Sequence, residues 1–240
     1  MKIIHFIRGL FVLILTPVLT FFSSLLALIA LLVLRISAEN AQVIPRYWAQ
    51  IILAASGVKV TVNGMETLEP GKPYIFASNH QSQFDIFSMQ GCFQSDFRWM
   101  AKKELFAVPL FGHAMRLAGC IPVDRSHGRK AMKSLVEAAE RIASGTSVVI
   151  FPEGTRSRDG RLYDFKTGGM VLAIKSGVPV VPVAICGTFE VLPKGSLFAK
   201  PGRVTIRVGK PIDTSDYTVK QKQELAERLH DEVAKLLAEG

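Results

Sequence analysis

No charged side chain occurs between Gly9 and Leu34, a stretch dominated by Leu, Phe, Val, Ile and Ala. As a helix, about 25 such residues at ~1.5 Å each exceed the ~30 Å hydrocarbon core of a bilayer. Lys2 and Arg8 precede the run, as basic residues precede the apolar core of a secretory signal. That core is normally only ~7–15 residues long, however, and no small-residue cleavage site closes this one. The run therefore predicts a retained membrane segment. Pro17 leaves its topology open between one tilted span with a kink and a re-entrant hairpin of two helices in one leaflet. Basic residues flank both ends (Lys2 and Arg8, then Arg35 and Arg46), so the positive-inside bias does not orient it.

The remaining length of a 240-residue chain suits one fairly large domain with this segment as its appendage. A balance of 29 basic to 20 acidic residues, +9 overall, fits a polyanion or an anionic membrane surface. Beside an apolar anchor the partner it predicts is lipid headgroups, and no nucleic acid. Cys92, Cys120 and Cys186 are scattered with no C-x-x-C pair, which argues for buried free thiols over a disulfide framework or a zinc site.

After the anchor, residues 36–56 read as a connecting amphipathic helix with Ile44, Trp48, Ile51 and Leu53 on its apolar face. Strands are expected at 58–62, 74–77, 98–101, 120–123, 147–151, 178–185 and 204–208. Helices are expected at 85–93, 104–117, 128–142, 165–176 and 219–237, with Gly177 closing the fourth. The alternation predicts an α/β fold: a single domain with a mixed, largely parallel sheet flanked by helices, behind an N-terminal membrane helix or helical hairpin. The division this suggests is 1–56 for membrane anchoring and 57–240 for the α/β domain.

Two stretches carry chemistry. In SNHQSQFD, residues 78 to 85, His80 and Asp85 are five positions apart. In a continuous helix that interval rotates side chains by about 500°, leaving them about 140° apart. They can meet only if His80 lies in the loop leaving a strand and Asp85 in the first turn of the next helix, where α/β folds tend to place ligands. A carboxylate on one imidazole nitrogen fixes the tautomer and leaves the other free to take a proton. The alternative is that Asn79 and Asp85 are turn and cap residues. A metal site is disfavoured, because His5, His113, His127 and His230 have no paired ligand spacing and no H-E-x-x-H occurs. Without a G-x-S-x-G elbow, the proton removed belongs to a substrate hydroxyl or to water.

The second stretch is FPEGTRSRDGR, from Phe151 to Arg161. Pro152 ends the apolar strand, and Gly154 lets backbone amides approach a ligand. Thr155 offers a hydroxyl, and Arg156 a planar fork suited to phosphate or carboxylate. Glu153 can hold an arginine or touch substrate. A Walker A loop is absent. Lys102 and Lys103 could supply positive charge to an anionic ligand, or be a surface pair ahead of a helix.

Four stretches in order, N-H-x-x-x-x-D at 79–85, Gly119-Cys-Ile-Pro-Val-Asp-Arg125, FPEGTRS at 151–157 and Val-Pro-Val-Ala-Ile at 181–185, resemble the glycerolipid acyltransferase family. The likeness is nearest to the bacterial 1-acyl-sn-glycerol-3-phosphate acyltransferases and covers roughly residues 58–190. Pro122 departs from the larger apolar residue often found there. The resemblance implies acyl transfer from acyl-CoA or acyl carrier protein to the sn-2 hydroxyl of lysophosphatidate, with no cofactor beyond that donor substrate. It implies His80 and Asp85 as catalytic residues, with Glu153, Gly154, Thr155, Arg156 and Lys102 binding substrate. It places the protein on a bacterial inner membrane with its catalytic side toward the cytosol. Rival readings are another lysolipid as acceptor, an acyl-thioester hydrolase and a non-catalytic anionic-lipid binder.

Overall fold

The computed structural model of this chain describes residues 2–124 and 129–239. Seven strands form one sheet: β1 (Val58–Asn63), β2 (Ile75–Ser78), β3 (Arg98–Lys102), β4 (Ile121–Val123), β5 (Val148–Ile150), β6 (Val180–Cys186) and β7 (Gly202–Val208), in the order β1-β7-β6-β2-β5-β3-β4. Among these pairs only β6 and β7 run antiparallel. The central strands β2 and β5 are buried along their whole length, and β6 nearly so, which is why they read as unbroken apolar runs. Edge strand β1 instead alternates, with its outward residues in solvent.

Because successive strand residues point to opposite faces, Phe76 of β2 enters one apolar cluster while Ile75 and Ala77 enter the other. The first cluster is closed by α2 (Val43–Ser56) and α3 (Phe84–Cys92), through Ile52, Leu53, Phe84 and Phe87. The second is closed by α5 (Arg129–Ala143), α6 (Gly168–Ser176) and α8 (Lys222–Ala238), through Ile142, Met170, Leu172, Leu225 and Leu229. Short helices α4 (Phe111–Leu117) and α7 (Thr188–Val191) complete the α/β fold.

The apolar run forms helix α1 (Lys2–Leu28), extended by a π-helical turn at Ile29–Val33. From Ile4 to Val33 it is long and apolar enough to cross a membrane, about 45 Å at ~1.5 Å per residue, and most of its surface is exposed. Pro17 does not break it. Hydroxyls beside the proline bond back to carbonyls, Thr16 Oγ1 to Val12 O (2.8 Å) and Thr20 Oγ1 to Thr16 O (2.7 Å), supporting the turns where the proline withholds its own N–H. The chain reverses beyond Leu34, with Arg35 at φ 51°, and α2 returns along α1. Trp48 Nε1 donates to Thr20 Oγ1 across this contact at 3.1 Å.

Several boundaries differ from the sequence expectation. The helix expected over 104–117 is a 3-10 turn, Lys103–Ala107, then α4. Pro109 forces Val108 into an extended conformation (ψ 125°), and Gly112 packs directly on the Phe106 carbonyl, where a Cβ would approach to 2.3 Å. Helix α6 starts at Gly168 rather than Phe165, because Lys166 N–H is held by Pro152 O at 2.9 Å. On α2, Ile51 faces outward while Ala49 and Ile52 are buried. Cys120 is buried, Cys92 and Cys186 only partly so, and all three are free thiols. Arg125, His127 and Gly128 lie outside the described residues.

Leu172 has no exposed surface and lies in the cluster on the side of the sheet opposite α2 and α3. Leu172→Ala is expected to destabilise the fold by about 2–5 kcal/mol, lowering the melting midpoint by about 5–15 °C in a detergent-solubilised thermal scan. An unchanged midpoint would contradict this placement.

Candidate active site

Strand β2 ends at Ser78, and the chain crosses the sheet's carboxyl edge before α3 begins at Phe84. Asn79, fully buried, extends the ladder past the strand. Its Nδ2 donates to Ile185 O (2.9 Å), and its Oδ1 accepts from Ile185 N–H (2.8 Å). The side-chain amide thus imitates a peptide group and frees the main chain to turn. His80 follows in the loop and Asp85 lies in the first turn of α3, the arrangement their interval required.

His80 Nδ1 is 2.8 Å from Asp85 Oδ2. The same oxygen accepts the backbone N–H groups of Gln81 (2.7 Å) and Ser82 (2.8 Å), and Oδ1 accepts the hydroxyl of Thr188 on α7. The carboxylate is an acceptor on every side, so Nδ1 is the donor to it and Nε2 keeps its lone pair. Nε2 has no protein partner among the described residues. Asp85 is completely buried and the His80 side chain is 15% exposed. The imidazole stacks on Phe151, ring centroids 3.9 Å apart and planes 10° apart, and Phe151 stacks in turn on Trp99.

The loop after β5 grips the other side of His80. Glu153 Oε1 accepts the His80 backbone N–H at 2.6 Å, and Ser157 N–H donates to His80 O at 2.8 Å. Glu153 Oε2 accepts from Tyr163 N–H at 3.2 Å, so both carboxyl oxygens serve backbone donors and neither holds an arginine. Burial pushes this carboxyl from 4.5 to about 7, against the lowering effect of the two N–H bonds. Gly154 turns at φ 74°, and a Cβ there would approach Lys166 Nζ to 2.9 Å. Thr155 is exposed at the tip, its hydroxyl accepting from Lys194 Nζ at 3.0 Å, and the same ammonium bonds Arg156 O at 2.9 Å.

His80, Arg156 and Lys102 share the wall of one cavity of about 430 Å³, within the usual range of small-molecule sites. Lys102 ends β3, is mostly exposed and lies 3.7 Å from Glu104, whereas Lys103 pairs with Asp124 at 2.7 Å. The rest of the wall is largely apolar, drawn from α1 and its π-helical extension (Ala27, Leu31), α2 (Pro45, Trp48) and α4 (Ala114, Met115). Asp85 and Glu153 stand behind this wall, orienting what lines it. The result is an oriented imidazole on the wall of a largely apolar chamber that a guanidinium and an ammonium also line. That geometry suits removing a proton from a hydroxyl on an amphiphile with an anionic group. Among the described residues no cluster of His, Cys, Asp and Glu is arranged to hold a metal.

The family model described as acyltransferase matches residues 59–186, more than half of the chain. This chain belongs to the acyltransferase family. It is 38% identical over 171 residues to the chloroplastic 1-acyl-sn-glycerol-3-phosphate acyltransferase BAT2 of Brassica napus, across 70% of this chain and 49% of that protein. It is 32% identical over 195 residues to the 1-acyl-sn-glycerol-3-phosphate acyltransferase of Pseudomonas aeruginosa, across 81% and 75%. The crystal structure of the 1-acyl-sn-glycerophosphate (LPA) acyltransferase PlsC from Thermotoga maritima superposes with a TM-score of 0.70 at 27% identity, covering 96% of this chain and 98% of that one. The chain spans about half the length of the first chloroplastic relatives it matches.

The sequence assigns no role to Phe151, Thr188 or Lys194, and offers Asn79 only as a turn or cap residue. Thr188 and Lys194 lie beyond the matched span, and only the fold brings them to Asp85 and Arg156.

Since folding raises Glu153 to about 7, the folded protein holds this proton more tightly than the unfolded chain does. The stability it contributes is complete below about pH 4.5 and is lost as pH rises through about 7. Glu153→Gln should therefore flatten the fall of the melting midpoint across that window relative to wild type. Parallel profiles for the two proteins would contradict this.

Proposed function

We propose that this protein transfers an acyl group from a thioester, acyl-CoA or acyl carrier protein, to the sn-2 hydroxyl of 1-acyl-glycerol-3-phosphate, forming phosphatidate. The observation that carries this reading is the shared cavity, in which the Asp85-oriented imidazole and Arg156 meet an apolar wall supplied partly by the membrane-type helix. An acceptor with a phosphate, a free hydroxyl and an acyl tail has three parts to match those three surroundings.

In this mechanism His80 Nε2 takes the hydroxyl proton as the oxygen attacks the thioester carbonyl. The new C–O bond forms, the C–S bond breaks, and the thiolate departs to be protonated by the imidazolium or by solvent. Asp85 holds the imidazole through Nδ1 and balances its positive charge while it carries the proton. Arg156, with Gly154 and Thr155 beside it, holds the acceptor phosphate, and Lys102 supplies positive charge from the wall of the same cavity. Glu153 takes part through the loop it fastens to His80. Residues 1–56 keep the site at the lipid surface and residues 57–240 carry it. The +9 surplus strengthens attachment to anionic headgroups. The setting is a bacterial inner membrane with the catalytic side facing the cytosol, where both donors reside.

Reconstituted with lysophosphatidate and an acyl donor, wild type should form phosphatidate, and folded His80→Ala should turn over at least about a hundredfold more slowly. Near-normal transfer by His80→Ala would end this mechanism. Arg156→Ala should chiefly raise KM for lysophosphatidate while leaving transfer to an unphosphorylated acceptor little changed. An equal loss on both acceptors would remove Arg156 from phosphate recognition.

A further inference from the structure

Lysines on this surface mostly face a carboxylate when they have a partner: Lys72 meets Glu69, Lys103 meets Asp124 and Lys235 meets Glu232. Lys194 is different. Its ammonium is fixed by two neutral oxygens, Thr155 Oγ1 at 3.0 Å and Arg156 O at 2.9 Å, and it has no acidic partner among the described residues. Neutral acceptors position a cation without cancelling its charge. An ammonium also has three protons, and these two contacts leave one to donate.

The backbone around Lys194 is pinned to the His80 loop. Ser82 Oγ donates to Leu192 O at 2.8 Å, and Ser82 and Pro193 form a β-bridge. The lysine is only partly exposed, so its charge is less screened than that of a surface lysine. Two consequences reach the Arg156 turn. Thr155 Oγ1, as acceptor from Lys194, must direct its own proton elsewhere. Arg156, tied through its carbonyl, presents its side chain to the cavity from a fixed backbone.

We infer that Lys194 is a specificity-determining residue for the acyl acceptor, its ammonium binding the phosphate monoester together with Arg156 and Thr155. Lys194 and Thr155 do not line the cavity themselves but are joined to each other and to the backbone of Arg156, which does. A tetrahedral dianion held by Arg156 lies within reach of charge-assisted bonds from such neighbours, which are the strong ones. This inference rests on the acyl-transfer reading above. It commits to the acceptor's phosphate, although the phosphates of CoA share the same chemistry.

The test uses the full chain in lipid micelles, measuring transfer to lysophosphatidate and to monoacylglycerol, with acyl-CoA varied separately. Lys194→Met should lower kcat/KM for lysophosphatidate by about ten- to a hundredfold. Transfer to monoacylglycerol should change less than about twofold, and KM for acyl-CoA should hold. Lys194→Arg should recover most of the loss. Lys200→Met, which removes an exposed charge from the same loop, should behave as wild type. Equal losses on both acceptors would overturn the inference and leave Lys194 only a brace for the loop. A change confined to KM for acyl-CoA would overturn it in favour of the donor's phosphates. Direct binding of lysophosphatidate, measured without donor, separates the two levels. Binding that weakens in Lys194→Met supports the lysine's role even where wild type transfers nothing, a result that would sink only the proposed reaction. Binding that is unchanged, or absent from wild type, overturns the lysine's role.

Discussion

A carboxylate with no exposed surface must collect donors from its own chain, because an unpaired buried charge costs far more than the fold's net stability allows. Asp85 collects four: the His80 ring, two successive backbone amides and the Thr188 hydroxyl. These come from the β2–α3 loop and from the start of α7, more than a hundred residues later in the chain. Satisfying one side chain thus fixes the loop's path, the distance between α3 and α7, and the imidazole's tautomer together. Displacing any donor leaves a deficit at the same oxygens, so the arrangement holds as a unit.

The other half of the constraint acts on the peptide of His80. Its N–H is bound by Glu153 and its carbonyl by Ser157, while Phe151 covers one face of the ring. Backbone, ring plane and Nδ1 are all fixed by different neighbours, and Nε2 alone is left to the cavity. Preorganisation of this kind matters because a base that must find its geometry during each turnover loses the advantage of being bound in place. It also gives the FPEGTRS turn a task beside the phosphate binding proposed for it, since the residues that present Arg156 also hold the backbone of the histidine.

Much of this was legible in the sequence, for physical reasons. Strands β2, β5 and β6 are apolar throughout because helices cover both faces of the sheet, and a buried parallel strand has no polar side to show. The five-residue interval between His80 and Asp85 permits contact only across a strand-to-helix loop, and that is where they meet. Local chemistry also set what was missed. Pro109 divides a helix that periodicity would continue, and the tie from Lys166 to Pro152 delays α6 by holding its first expected residues outside the helix. Pro17 leaves two topologies open on paper, but neighbouring threonine hydroxyls sustain one helix. Thr188 and Lys194 carry no local signature at all. Their partners are distant in the chain, and nothing in a threonine after a glycine, or a lysine after a proline, names them.

Helix α1, proposed above as an anchor, is also a wall of the cavity. The residues it turns toward the cavity are small or hydroxylated, Thr20, Ser23, Ser24 and Ala27, while Phe11, Phe21, Phe22 and Leu26 point outward. Small residues leave room between α1 and the α/β body, and the Thr20 and Ser24 hydroxyls are turned back onto the helix's own carbonyls. In the proposed reaction an acyl chain would meet helix surface continuous with the bilayer, and its phosphate would meet charges held by the β5 and α7 loops. Orientation of the substrate would then follow from which side chains of the wall carry charge, Arg156 and Lys102. A lipid entering with its headgroup toward α1 would bury an anion where α1 offers no charged partner, so in the proposed reaction that pose is disfavoured relative to one with the headgroup at Arg156.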